Sequence, residues 1–263
     1  MTAIAFSVKI NNQLGWVIRM NFKKIVLICL SWFLVCLSLY SYFLYKDRAL
    51  VKNEKVSSKE LAESTEEDTT PVDTEVTSLK NEYNNSDIKG VISIEGEDEF
   101  HYPIAQSSDN EFYLSHDYHK NYYKHGSIFA DYRIDLDSSD KVLLFGHNSS
   151  FIKTPFGNLE NYYDVNYYNN HKYIDLKTEN SLYRYEIFSV YVETSDFTYV
   201  NLNFDSKKGW YEHLEKLKSK SLYDTKVEVS SEDKILIMQT CSNNPNYKAY
   251  AKKYLLVIAK LVH

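Results

Sequence analysis

The chain has 263 residues, enough for one large domain or two small ones, and its net charge of −6 comes with no basic patch dense enough for a nucleic-acid surface. Of its three cysteines, Cys29 and Cys36 lie in an uncharged apolar stretch near the N-terminus, so Cys241 stands alone outside it and a disulfide-stapled fold is excluded. Stability has to come from a packed core, for which 24 tyrosines and 13 phenylalanines supply the apolar material.

In chain order, the first feature is the run 25–45, built from Ile, Val, Leu, Phe, Tyr, Trp, Ser and Cys without a charge. At about 1.5 Å per residue it is long enough to cross a hydrocarbon layer of about 30 Å. Lys9, Arg19, Lys23 and Lys24 precede it. The excess of cations on that side predicts a cytoplasmic tail over 1–24 and a single-pass anchor in the cell membrane over 25–45. Everything after Lys46 is then extracellular. A cleaved signal peptide is the competing reading. The apolar run exceeds the usual ~7–15 residues, however, and Tyr45-Lys46-Asp47-Arg48 lacks the small residues of a cleavage site. Met20 is an alternative start, which leaves residues 1–19 untranslated. Residues 46–87, with Glu63, Glu66, Glu67, Asp68, Asp73 and Glu75 among serines and threonines, read as a solvated acidic stalk.

From Ile88 the texture changes. Val91–Ile94, Ser127–Ala130, Val142–Phe145, Tyr185–Tyr191, Lys234–Met238 and Tyr254–Ala259 are short, rich in branched and aromatic residues, and separated by polar segments, as strands are. Several are apolar throughout, which predicts strands covered on both faces or closed into a barrel. One helix interrupts them: Asp205 or Ser206 caps it, and Trp210, Leu214 and Leu217 recur at helical spacing. Asn158–Tyr168 is a second, shorter helical candidate. Residues 88–263 thus read as one mainly β domain with peripheral helices.

Chemistry concentrates at two strand ends. Cys241 closes an apolar run in Gln239-Thr240-Cys241-Ser242, and His147 closes another in Phe145-Gly146-His147-Asn148. Nucleophilic catalysis by cysteine needs a thiolate, a proton carrier and donors aimed at the developing oxyanion. An inert buried cysteine is the commoner alternative for an unpaired thiol. Free thiols titrate near ~8.5 and imidazoles near ~6.5, so an unassisted pair is mostly neutral at pH 7. Histidine before cysteine, with cysteine ending a strand, disfavours a papain-like arrangement, and no Gly-x-Ser-x-Gly elbow is present. His116, His119 and His125 read as solvated loop histidines rather than zinc ligands. His101, His171, His213 and His263 read as surface or structural. No metal or organic cofactor is indicated.

Residues 88–263 resemble a sortase, one of the cysteine transpeptidases that attach proteins to the Gram-positive cell wall. Phe145-Gly146-His147-Asn148 is similar to the family's histidine strand end and Thr240-Cys241 to its cysteine element. Three further features resemble class B: the stretch Gly126–Arg133, the segment Pro155-Phe156-Gly157-Asn158-Leu159 followed by His171-Lys172-Tyr173-Ile174, and a helix over 206–220 before the cysteine strand. The resemblance implies a closed eight-stranded sortase-type β-barrel. It also implies that Cys241 attacks a threonyl carbonyl in a sorting signal, forming a thioester that a cell-wall precursor amine resolves, with His147 moving the proton. Thr240 and Ser242 would line the substrate groove.

One departure stands out. The family carries an arginine at the start of the last strand, and that slot here holds Tyr254 with Lys253 beside it; Arg133 and Arg184 belong to other motifs. Side chains alternate along a strand, so in a regular one Tyr254 and Lys253 do not both reach the thiol. A bulge in the long stretch 242–252 is the expected way to reset that phase. A tyrosine donates one hydrogen bond, and a lysine supplies a charge without the planar fork. The missing arginine leaves open a sortase-like surface binding module, or a cell-wall cysteine peptidase using water as acceptor.

Overall fold

The computed structural model describes residues 73–149 and 151–262, together with Ser38 and residues 40–42. The expected tail, most of the expected anchor, the stalk before 73 and His263 lie outside the described residues. Among the described residues no helix is long and apolar enough to cross a membrane.

Eight strands follow in chain order: β1 (Ile88–Ile94), β2 (His101–Ala105), β3 (Phe129–Ala130), β4 (Lys141–Phe145), β5 (Tyr173–Thr178), β6 (Leu182–Glu193), β7 (Ile235–Cys241) and β8 (Tyr254–Leu261). They close into a barrel in the order β1-β2-β3-β4-β7-β8-β6-β5, as the resemblance implies. Both faces of the wall are covered, which explains the uninterrupted apolar runs. Leu236 and Met238 of β7 and Leu255, Val257 and Ala259 of β8 join one core, inside the barrel. Their neighbours Ile235, Ile237, Leu256 and Ile258 join a second core outside it, under helix α3 (Lys207–Ser219), which contributes Trp210, Leu214 and Leu217. The Ser206 hydroxyl caps α3 by accepting from the Gly209 N–H at 3.1 Å.

Two strands escaped the sequence reading. Pro103 argues against β2, yet it is tolerated because β2 is nearly an edge: beyond β1 it meets β3 only where Ala105 pairs Phe129. In β5 the residues alternate between half-buried and buried, but charged Asp175 and Lys177 hide the period. The expected strand over 127–130 shrinks to two residues, since Ser127 N–H donates instead to Tyr113 O at 2.9 Å and Ile128 N–H to the Tyr118 hydroxyl at 3.2 Å. The short helical candidate is a 3₁₀ segment, Pro155–Tyr163, followed by helix α2 (Val165–Asn170) with Asp164 as its cap.

The acidic stretch expected to be stalk through residue 87 is corrected at its end. Asp73–Glu82 forms helix α1, and Val76, Leu79 and Tyr83 lie on one stripe of it, packed against Ile88, Val91, Ala105 and Phe129. Glu75 is 5 % exposed and is clamped by His101 Nε2 at 2.6 Å and Lys177 Nζ at 2.8 Å, which ties α1 to β2 and β5. Residues 73–87 therefore belong to the folded domain; the apolar stripe is diluted by charges that are themselves paired.

Burial pushes the Glu75 carboxyl up, but its bonds to His101 and Lys177 outweigh that and hold it below the usual 4.5. A folded value below the unfolded one stabilises the native state above about pH 4.5, and this contribution is lost as pH falls through the folded value. Glu75→Gln is expected to lower the melting temperature at pH 7 by roughly 5 °C, from the loss of about 2 kcal/mol. It is also expected to flatten the acid side of the stability profile, read by circular dichroism melts from pH 3 to 7. Identical profiles would show that the clamp contributes nothing.

Candidate active site

β4 and β7 run parallel and in register, ending with Phe145 opposite Gln239. Carried two residues further, the same register brings His147 level with Cys241 at one rim of the barrel. Three hydrogen bonds hold the two chain ends together past the regular ladder. Gly146 N–H donates to Gln239 O at 3.2 Å, the Thr240 hydroxyl to Gly146 O at 2.8 Å, and Asn148 Nδ2 to Cys241 O at 3.0 Å. Cys241 shares its strand face with Ile235, Ile237 and Gln239, so its sulfur lies on the outside of the barrel wall and reaches solvent.

On the other flank, Cys241 pairs Tyr254. The β7–β8 register is constant from Ile235–Lys260 to Cys241–Tyr254, so the expected bulge in 242–252 is absent. The extra length forms a loop with a 3₁₀ turn at Pro245–Tyr247, and the bulge sits on β6 instead, between Ile187 and Ser189. Directly paired antiparallel residues point the same way, which puts the Tyr254 side chain on the thiol's face. Lys253 lies one residue before β8, where Ser242 N–H still donates to its carbonyl at 2.9 Å, so the alternation continues through it, and its charge lowers the Cys241 thiol. Burial pushes the thiol above its usual 9.0, and Lys253 partly offsets this. Burial, then the neighbouring Cys241, pushes the Tyr254 hydroxyl up, so Tyr254 keeps its proton and remains a donor.

His147 is aligned from a different quarter. Its Nε2 lies 2.8 Å from Leu114 O. A carbonyl only accepts, so Nε2 carries the hydrogen and Nδ1 is the basic nitrogen of the neutral ring. Leu114 closes the 3₁₀ turn Phe112–Leu114, which approaches Gly126 so closely that a Cβ there would meet Tyr113 O at 2.2 Å and Leu114 O at 2.7 Å. Gly126 also has φ +56°, so glycine is required on both counts. Gly146 has a similar reason: the Phe156 ring lies 2.7 Å from where its Cβ would be. The motifs that begin at Gly126 and Pro155 thus support the histidine segment from either side. Among the described residues the sulfur and the imidazole are not hydrogen-bonded to each other, a looseness common in unliganded sites.

Thr240 and Ser242 are each 1 % exposed. Thr240 holds Gly146, and the Ser242 hydroxyl bonds the Tyr163 hydroxyl at 2.7 Å. Neither side chain lines an open groove, which leaves their backbone as the part available for the expected groove-lining role. The other histidines also have firmer places than expected. His116 stacks on Phe112 at 4.0 Å, His119 packs on Tyr83 and His125 on Tyr123. His101 meets Glu75, His171 stacks on Tyr167, and His213 is buried against Lys141. Among the described residues, no group of three or more His, Cys, Asp or Glu converges as metal ligands would.

Sequence reasoning passed over Gln239, Asn148, Tyr199 and Phe197. Gln239 was findable, since it is two residues before Cys241 on a strand and therefore on its face. Its side chain accepts from the Tyr199 hydroxyl at 2.6 Å, and the Phe197 ring meets Tyr254 edge-on at 5.8 Å. Nothing in the sequence pairs residues 197–199 with the strand ends.

A barrel that sets a thiol beside an imidazole at one rim has the parts of a cysteine acyl-transfer enzyme. The Sortase domain family model matches residues 92–262. Sortase B of Listeria monocytogenes is 35 % identical over 179 residues, covering 68 % of this chain and 71 % of that protein. A Staphylococcus aureus sortase B–substrate complex superimposes with a TM-score of 0.71 at 26 % identity, covering 83 % of this chain and 97 % of that one. A sortase B complexed with triglycine does so with a TM-score of 0.71 at 27 % identity, covering 83 % and 98 %. The chain belongs to the sortase family and is a sortase-type cysteine transpeptidase of class B.

Alkylation of Cys241 by iodoacetamide, followed against pH, is expected to titrate above 9.0 in the free protein. Lys253→Ala should move that midpoint higher still, because the one favourable charge is removed. A midpoint near neutrality would instead reveal a standing thiolate–imidazolium pair, contrary to this geometry.

Proposed function

We propose that Cys241 attacks a threonyl carbonyl of a sorting signal, releases the C-terminal part of the peptide and holds the remainder as a thioester, which an amine of a cell-wall precursor resolves. The observation that carries this reading is the common rim: His147, Cys241 and Tyr254 come to one edge of the barrel from three adjacent strands. As the sulfur attacks, His147 takes the thiol proton at Nδ1 and delivers it to the leaving amine, and the neutral ring then accepts one from the incoming amine as the thioester is resolved and the thiolate is reprotonated. Tyr254, whose hydroxyl makes no hydrogen bond among the described residues, donates to the oxyanion, and Lys253 adds charge alongside. The substrate bound to Staphylococcus aureus sortase B and the triglycine bound to another sortase B support a peptide donor and an amine acceptor here. The apolar run 25–45 anchors the enzyme in the cell membrane with the barrel outside.

One tyrosine hydroxyl stands where the family uses a fork of five donors, so acylation is expected to be slow. Water takes the thioester when the amine is scarce.

Peptide-library cleavage with product mass spectrometry, with and without added amines, tests the scheme. Cys241→Ala and His147→Ala are expected to abolish turnover, and Tyr254→Phe to reduce it about 10²-fold. Undiminished cleavage by Cys241→Ala rules out the mechanism; a full rate in Tyr254→Phe with a loss in Lys253→Ala transfers the oxyanion role to Lys253.

A further inference from the structure

Lys141 opens β4, at the far end of the strand from His147, and is 3 % exposed. Its ammonium donates to Tyr199 O at 3.1 Å, to Asn201 O at 2.6 Å and to His213 Nε2 at 2.8 Å. An ammonium has three hydrogens and no lone pair, so these three acceptors complete it. His213 must then be neutral with its proton on Nδ1; burial and the adjacent Lys141 charge pull the ring down to about 3. Burial and then the Arg133 charge pull the Lys141 ammonium down to about 7, while its three acceptors and the faces of Phe204 and Trp210, 4.9 and 5.4 Å away, act in the opposite direction.

A second cation completes the pattern. Arg133 grips the buried Asp131 through Nε at 2.8 Å and Nη2 at 2.6 Å, and Nη2 also donates to Val200 O at 3.3 Å. Three successive carbonyls, those of residues 199, 200 and 201, therefore each take a donor from a cation. A cavity of about 900 Å³, lined by Arg133, Lys141, Asn201, Phe204 and Trp210 among others, adjoins the segment. On that side hydrogen bonds rather than close packing fix the backbone. The opposite side of the same turn, Phe197–Val200, is what reaches the thiol's face, through Tyr199 on Gln239 and Phe197 on Tyr254.

We propose that Lys141 and Arg133 are positioning residues for the transpeptidase: they clamp the 199–201 carbonyls and so hold the buried Tyr199 on Gln239 and, with it, the half-buried Phe197 against Tyr254 as a wall near Cys241, against which the peptide substrate lies. The clamp acts on the groove and not on the thiol, so it governs how well a peptide binds and leaves the sulfur's intrinsic reactivity alone. This inference rests on the proposed peptide substrate for its catalytic consequence. Its structural part does not.

Two variants of the full chain separate the possibilities. Lys141→Met keeps the apolar stem, one atom shorter, and removes its donors. Hydrogen exchange of amides 197–204 is expected to quicken roughly tenfold while β7 is unchanged. The peptide KM should rise about tenfold with kcat little altered, and iodoacetamide should modify Cys241 at the wild-type rate. Tyr199→Phe leaves the clamp intact and cuts only its link to Gln239, so exchange over 197–204 should stay as in wild type while KM rises. The double variant should bind peptide no worse than Lys141→Met, because both changes break one path. Unchanged exchange in Lys141→Met, loosening without a change in KM, or additive effects in the double variant would each overturn the proposal. If Lys141→Met does not fold, an unchanged KM in Tyr199→Phe overturns it. A wild-type chain that cleaves no peptide refutes the proposed function, and the exchange result still decides whether the clamp exists.

Discussion

Because β4 and β7 run parallel, both carry their C-terminal ends to the same rim of the barrel, and the residues just beyond or at those ends are the ones that hold chemistry. Parallel neighbours cannot be joined by a tight turn. Here the connection is the rest of the barrel: α2, β5, β6 and α3 all lie between β4 and β7 in the chain. The proximity of His147 and Cys241 is thus a property of the closed sheet, bought with the entropy of ordering that whole segment. Once closed, the pairing is locked at the rim by Gly146, Asn148 and Thr240, whose bonds to the facing strand end leave the two reactive side chains little choice of place.

The same economy of position governs the charges. An acidic protein has buried several cations and carboxylates, and each is satisfied locally. For Asp131, burial pushes the carboxyl up, and the Arg133 fork overcomes it. Glu75 meets a histidine and a lysine, and Lys141 has an acceptor for every hydrogen. Breaking one partner of such a set strands the other in a low-dielectric site, which makes them strong determinants of geometry even where their net contribution to stability is small. The thiol is the exception. It is raised by burial and only partly compensated by Lys253.

The rim also shows how a single residue change is absorbed. Where relatives are expected to present a guanidinium, Tyr254 keeps the same register opposite Cys241, and the loop before it, rather than the ladder, takes up the extra length. Tyr254 shares the thiol's face, and Lys253, one rung further along the same ladder, acts on the thiol through its charge.

The sequence by itself determined the barrel class and the outer helix with its Ser206 cap, and it singled out Cys241 and His147 as the candidate pair, because each of these is written in short-range signals: apolar runs, helical spacing, a capping hydroxyl, a motif at a strand end. It misjudged α1, whose apolar stripe is interleaved with acids, and β2, where Pro103 reads as a breaker until the strand's near-edge position is known. It placed Thr240 and Ser242 at the groove without saying whether by side chain or backbone, since a position beside the candidate nucleophile does not reveal which way a side chain turns. Only the tertiary structure decided that these two face inward, that Gly126 sets the carbonyl on which His147 leans, and that Lys141 and Tyr199 are linked to the thiol's face. These depend on which distant segments meet after the barrel closes, and hydrogen bonds between residues 58 or 94 positions apart leave no periodicity in the chain to read.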